Sequence, residues 1–181
     1  GNRHSDLGQI HLGNVQGLTV RWFYPIQGMT MIEGTPVVIA GIMYVTAVNQ
    51  VYALDAATGR EIWRYSQPRT QGLIKESDAG IGLNRGVAVR EDLLFTVTDH
   101  AHVIALNRFT GDLVWDQEMA DYHDHYGATA SPLVVEDLVI VGMSGGDAGV
   151  RGFLDAYNAI TGDQVWRFWT IPKPGEPGSE T

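Results

Sequence analysis

Three polar residues of different chemistry recur at matched places in this chain. Glu33 lies 25 residues before Thr58, and Arg85 lies 25 before Thr110. Thr129 falls the same distance before Thr161 once a seven-residue insertion between them is discounted. A carboxylate, a guanidinium and a hydroxyl in one register suit a shaped site, with Arg85 facing an anionic group. The insertion falls within "SGGDAGVRGF". In it Ser144 offers a hydroxyl, Gly145 and Gly146 let backbone approach a ligand closely, and Asp147 offers a hard oxygen for a cation. The blander reading is an ion pair between Glu33 and Arg85, and a long glycine-rich turn.

The register comes from an internal repeat. "VYALDAATGREIWRY", "VIALNRFTGDLVWDQ" and "LDAYNAITGDQVWRF" share one pattern, with threonines at Thr58, Thr110 and Thr161. Trp63, Trp115 and Trp166 follow at the same intervals. Thr-Gly closes a tight hairpin because glycine accepts positive φ. Asp55, Asn107 and Asn158 are placed to hydrogen-bond the turn backbone. The run after each glycine reads as a strand, with Trp as its large packing residue.

Two more apolar runs precede each hairpin, in "TPVVIAGIMYVTAV", "GVAVREDLLFTVTD" and "SPLVVEDLVIVGMS". Each reads as strand, turn, strand, with turns at Ala40-Gly41, Glu91-Asp92 and Glu136-Asp137. Four strands at a period near fifty predict an all-β fold, a β-propeller of four-stranded blades. The blades are expected at 29–66, 80–118 and 127–170, after a lead-in over 1–28 and before a loop over 171–181. Three blades are too few to close a ring, so the chain is expected to be an N-terminal piece of a larger propeller.

Composition bounds the function. The 181 residues are 44% hydrophobic and 18% charged, with a net charge of −9. That acidity argues against a nucleic-acid binder, which needs clustered Lys and Arg. With no cysteine, disulfides and thiolate metal sites are excluded. No run approaches the roughly 20 apolar residues of a transmembrane segment. The opening "GNRHSDLGQI" has no signal-peptide core, which leaves a removed or upstream leader open. His100 and His102, and His123 and His125, are spaced i,i+2, which on a strand would put each pair on one face. A zinc or copper site there lacks a third fixed ligand, so they read as solvated turn residues between blades. His125 and Tyr126 lie close enough before Thr129 to line a pocket mouth.

The repeats resemble the tryptophan-docking blades of the quinoprotein alcohol dehydrogenases, eight-bladed propellers that use pyrroloquinoline quinone (PQQ) and a metal ion. "SDLGQIHLGNVQGLTVRW", "IEGTPVV", "LNRGVAV", "ATASPLVVEDLVIVG" and "SGGDAGVRGFLDAYNAITGDQVW" are similar to the family's successive motifs, in order. By that resemblance Glu33 stands beside the quinone and Arg85 hydrogen-bonds its oxygens. Thr129 and Ser144 bind its carboxylates, and Gly145 and Gly146 lie under and beside it. Asp147 matches the acidic ligand of Ca2+ or a lanthanide. The family's adjacent cysteine pair is replaced by Ala79-Gly80, and its usual glutamate at the metal by the shorter Asp147.

The resemblance implies oxidation of a small primary alcohol to an aldehyde, a periplasmic location, a cytochrome c as electron acceptor, and a full-length protein capable of forming a homodimer. It implies no catalytic base among these residues. A non-catalytic propeller of the outer-membrane assembly type is the alternative. It needs the scaffold but not the polar set.

Overall fold

The computed structural model describes residues 6–29, 31–73 and 78–179. Parts of the lead-in (1–5), of the first repeat (30), of the connection after it (74–77) and of the closing loop (180–181) lie outside the described residues. Among the described residues twelve strands form three antiparallel sheets, each in the order of the sequence. The first holds β1 (Val37–Ile39), β2 (Ile42–Ala47), β3 (Gln50–Asp55) and β4 (Glu61–Ser66). The second holds β5 (Ala88–Arg90), β6 (Leu93–Val97), β7 (His102–Asn107) and β8 (Leu113–Glu118). The third holds β9 (Leu133–Val135), β10 (Leu138–Gly142), β11 (Phe153–Asn158) and β12 (Gln164–Trp169). This is the all-β propeller architecture expected from the repeat.

The turn chemistry follows the sequence closely. Gly59, Gly111 and Gly162 adopt φ of 74°, 80° and 78°. The Oδ1 atoms of Asp55, Asn107 and Asn158 each accept two backbone N–H groups of their turn. The first hairpins are equally regular, with Ala40, Glu91 and Glu136 left-handed at 50°, 50° and 53°.

The core lies between sheets. One cluster joins the first two, through Tyr44, Val51, Trp63, Leu94 and Ile104. Another joins the second and third, through Phe95, Val103, Trp115, Val139 and Phe153. The docking tryptophans drive this contact. A Cβ at Gly111 would stand 2.6 Å from the Trp63 ring, and one at Gly162 would stand 2.9 Å from the Trp115 ring. Glycine is therefore required twice over, for its φ and for the indole above it. Trp63 Nε1 donates to the Arg108 carbonyl and Trp115 Nε1 to the Ala159 carbonyl, both at 3.0 Å.

The lead-in adds a third instance of this docking. Trp22 covers Gly59, whose Cβ would stand 2.5 Å from the ring, and its Nε1 donates to the Ala56 carbonyl. Trp22 thus plays for the first blade the part that Trp63 plays for the second. Among the described residues Trp166 has no such cover: it is 38% exposed, against 8% for Trp63 and Trp115.

In the third blade Arg167 donates both to Asp155, at 2.7 and 2.6 Å, and to the Met119 carbonyl. Tyr157 donates to the same buried carboxylate. The network fastens the third blade to the second. β5 and β9 pack against each other across blades, so first strands converge and the residues entering them share one rim. Among the described residues no helix is long and apolar enough to cross a membrane.

Candidate functional site

The segments entering β1, β5 and β9 bring the three polar residues together. Arg85 Nε lies 3.3 Å from a Glu33 carboxylate oxygen. Its backbone N–H donates to the Thr129 carbonyl at 2.9 Å, and its guanidinium donates to the Thr129 hydroxyl. Thr129 is buried, while the Arg85 and Glu33 side chains keep 40% and 39% of their exposure. The charged pair therefore faces accessible space, with the hydroxyl behind it.

Their register is not identical. Val37, Ala88 and Leu133 are equivalent in the sheets. Glu33 and Thr129 precede them by four residues, but Arg85 by only three. The reason is the turn between β6 and β7. Ala47 pairs with Gln50 around the two-residue turn Val48-Asn49. Thr98 N–H reaches the His102 carbonyl around the three residues Asp99 to Ala101. Counting back from Thr-Gly crosses that extra residue. The strict equivalent of Glu33 is Asn84, which is buried and structural. Its Nδ2 donates to Thr96 Oγ1 and the Val97 carbonyl, and its Oδ1 accepts from Gly86 N–H.

The insertion joins this rim through a pair of backbone bonds. Gly127 and Ser144 exchange N–H to carbonyl bonds at 3.1 and 2.8 Å. Sequence reasoning missed Gly127. A Cβ there would stand 2.8 Å from the Ala79 side chain and 3.2 Å from Ser144 Oγ. Gly145 has φ of 123°, and a Cβ on it would stand 2.7 Å from the His125 carbonyl oxygen. Gly146 opens a short 3-10 turn, Gly146–Ala148, and a Cβ on it would meet nothing within 4 Å. Asp147 is exposed in the same turn.

Neither histidine pair lies on one strand. His100 lies in the turn and His102 opens β7, so the first pair does not share a strand. His123 belongs to a 3-10 turn that His125 caps. Nδ1 of His102 meets Asp116, and that of His123 meets Asp121, each at 2.7 Å. Among the described residues no three His, Asp or Glu side chains converge on a common point. Tyr126 donates to the Arg151 carbonyl and packs on Phe153, steadying the insertion.

Ala79-Gly80 sits in α1 (Asp78–Ile81), with Ala79 buried against Gly127. The wall beside Ser144 is thus an apolar methyl. Close by, Asp99 is buried among donors from Asn49, Arg69, Thr70 and His100. Burial alone would push its carboxyl up. The hydrogen bonds from His100, Asn49, Thr70 and Arg69 outweigh that and hold it well below the usual carboxylate range.

Fold and site together define a propeller sector with a polar rim assembled from three blades. Residues 1–181 match the family described as "Glucose/ethanol/alcohol dehydrogenase, beta-propeller domain", under the heading PQQ. The chain belongs to that family. It is 38% identical over 176 residues to quinohemoprotein alcohol dehydrogenase ADH IIB of Pseudomonas putida, covering 97% of this chain and 25% of that protein. It superposes on the quinohemoprotein alcohol dehydrogenase of Comamonas testosteroni with a TM-score of 0.86 at 36% identity, over 97% of this chain and 26% of the other. A europium-containing methanol dehydrogenase aligns with a TM-score of 0.84 at 34% identity, over 93% and 30%. The chain spans about a quarter of the length of the curated relatives it matches.

Proposed function

We propose that this chain is the PQQ-holding sector of a quinoprotein alcohol dehydrogenase. The full-length protein would oxidise a primary alcohol to the aldehyde in the periplasm and pass electrons to a cytochrome c. The observation that carries this reading is the Glu33–Arg85–Thr129 contact across three blade entries, with Ser144 joined to it through Gly127. A scaffold propeller has no need of such a set.

The donors fit a flat, polyanionic ligand. A half-exposed guanidinium and two hydroxyls suit carboxylate and quinone oxygens. The open space at Gly146 suits close approach by a planar group. In this reading Arg85 holds the quinone oxygens, Thr129 and Ser144 hold carboxylates, and Glu33 orients Arg85 from the far side. Gly145 and Gly146 present backbone to the ring. Asp147 gives one hard oxygen to Ca2+ or a lanthanide, the remaining ligands coming from the rest of the full-length protein. The europium named for one structural relative supports including a lanthanide.

Bound PQQ supplies the two-electron acceptor that no side chain offers. Arg85 aims fixed positive charge at the oxygens where negative charge grows, which is worth most in a preorganised, poorly hydrated site. Removing the alcohol proton is assigned to none of these residues.

The test is reconstitution of the full-length protein with PQQ and either calcium or a lanthanide, followed by cofactor absorbance and by dye reduction with ethanol. Binding and turnover are expected, weakened in Arg85→Ala. Absence of PQQ binding with every metal would overturn the reading.

A further inference from the structure

Two buried carboxylates, Asp99 and Asp155, take no part in the proposed cofactor contacts, and Asp155 is held inside the third blade by Arg167 and Tyr157. Asp99 is 1% exposed, yet it sits in none of the positions that face the rim. It lies in the β6–β7 turn, the turn that is one residue longer than its counterpart in the first blade. Its carboxylate is bound on every side. Asn49 Nδ2 donates at 2.8 Å, Thr70 Oγ1 at 2.7 Å, Thr70 N–H at 3.1 Å and Arg69 Nε at 2.8 Å. The Asp99 N–H returns a bond to Asn49 Oδ1 at 2.8 Å.

Arg69 is the member that leads outward. One edge of its guanidinium is held by Asp99. The other donates from Nη2 to the carbonyls of Ala79 at 3.1 Å and Gly80 at 2.8 Å. Those carbonyls belong to the single turn of α1, where the Ala79 carbonyl also accepts from Gly82 N–H at 3.2 Å and side-chain donors commonly reach the last carbonyls. Gly82, at φ of 94°, makes room: a Cβ there would stand 2.7 Å from Arg69 Nη1. The other side of α1 carries Ala79 onto Gly127, where a single added carbon would collide. Gly127 in turn holds Ser144 by two backbone bonds and precedes Thr129 by two residues. A continuous set of contacts therefore runs from Asp99 through Arg69 and α1 to both hydroxyl-bearing segments of the rim.

We propose that Arg69, locked by Asp99, is a positioning residue for the cofactor pocket: it sets the height of α1, and Ala79 on Gly127 then keeps Ser144 and Thr129 aligned to the ligand. The pocket's occupant rests on the PQQ reading, while the positioning itself does not. The planar fork is what the role requires. It donates in two directions at once, which an ammonium on a flexible stem does not reproduce.

The experiment uses the full-length protein prepared without cofactor, in four forms beside wild type. Arg69→Lys keeps the charge opposite Asp99 but loses the fork. Arg69→Met takes the guanidinium away from Asp99 and leaves its other donors in place. The double variant Arg69→Met with Asp99→Asn removes both charges and stays informative if Arg69→Met fails to fold. Arg90→Met removes an ion pair between the second and third blades, with Asp137, and serves as control. Two readouts are taken: half-saturation in a PQQ titration followed by absorbance, and amide hydrogen exchange at Gly127 and Ser144 against Ala156 in β11.

In Arg69→Lys and in the double variant, half-saturation is expected to rise about tenfold or more, as small misplacements of binding groups do. Exchange at Gly127 and Ser144 is expected to rise about tenfold, with Ala156 unchanged, the signature of local rather than global opening. Arg90→Met should match wild type in both. Wild-type titration and exchange in Arg69→Lys and the double variant would overturn the proposal. So would a rise at Ala156 equal to that at Ser144, which marks a purely structural role. If wild type itself takes up no PQQ, the cofactor reading falls, and the exchange result still judges the positioning.

Discussion

The Arg85 amide donates to the Thr129 carbonyl at 2.9 Å while the Arg85 guanidinium donates to the hydroxyl of the same residue. Backbone and side chain of one blade entry are thus both tied to the next. The double tie makes the rim a built feature rather than a chance surface pair. Removing the hydroxyl while keeping shape should separate the two bonds. Thr129→Val in the full-length protein is expected to weaken PQQ binding by about 1.5–3 kcal/mol, the range for hydrogen bonds to charged groups. Thr129→Ser should restore most of it. A PQQ titration followed by absorbance reads both, and equal affinity in Thr129→Val would remove Thr129 from the site.

Gly145 and Gly146 are adjacent but constrained by different things. At Gly145 a side chain meets both a left-handed φ of 123° and the His125 carbonyl. Gly145→Ala is expected to destabilise the full-length protein by about 1–3 kcal/mol. Gly146 meets nothing within 4 Å, so Gly146→Ala should change stability by less than about 0.5 kcal/mol. It should still impair PQQ binding, because in the proposed arrangement the space it fills is the ligand's. Urea midpoints and the same titration distinguish the two. A Gly146→Ala protein that binds normally would argue against a ring there.

Asp99 predicts a pH dependence with a definite sign. Its carboxyl is held below the ordinary value by four hydrogen-bonding neighbours that outweigh burial. An unfolded aspartate titrates at about 3.9. The unfolded state therefore takes up the proton first on acidification. Stabilisation from Asp99 is complete above about pH 4 and is lost as pH falls further toward the folded value. Asp99→Asn should be less stable than wild type at neutral pH and should lose less between pH 4 and pH 2. Parallel acid limbs in urea unfolding would contradict this.

Trp115 and Trp166 occupy equivalent strands but unequal surroundings. Trp115 is 8% exposed and donates to the Ala159 carbonyl. Trp115→Ala is expected to cost about 3–5 kcal/mol. Trp166 is 38% exposed. If a fourth blade presents its own turn glycine to Trp166, Trp166→Ala in the full-length protein should cost a similar amount. A cost under about 1 kcal/mol would mean that no such turn covers it.

Much of the scaffold was legible because each repeat carries its own local chemistry. Thr-Gly at 58–59, 110–111 and 161–162 needs one backbone conformation, and the Asp or Asn three residues earlier accepts the turn's N–H groups. Strand alternation then places Trp63 and Trp115 on the packing face. Trp22 escaped this reading because it lies outside the repeats in a segment with no assigned strand, although the same residue type was visible. Gly127 escaped because it meets Ala79 and Ser144 across the fold, and Asn84 because its side chain is fixed by Thr96 and Val97 of β6 as well as by its neighbour Gly86.

Sequence alone determined the blade unit, its period, the polar types at Glu33, Arg85 and Thr129, and the insertion that holds Ser144 to Asp147. These follow from spacing and from what each residue's backbone tolerates. Tertiary structure decided the register and the support. One extra residue in the Asp99–Ala101 turn slides Arg85 one place along its blade entry without disturbing any strand pattern, so counting along the chain passes over it. The same turn buries a carboxylate whose partners, Asn49 and Arg69, belong to another blade and its connection. Only packing of sheet on sheet brings those groups within hydrogen-bonding distance, because the free energy that favours it belongs to the assembled blades and to no single repeat.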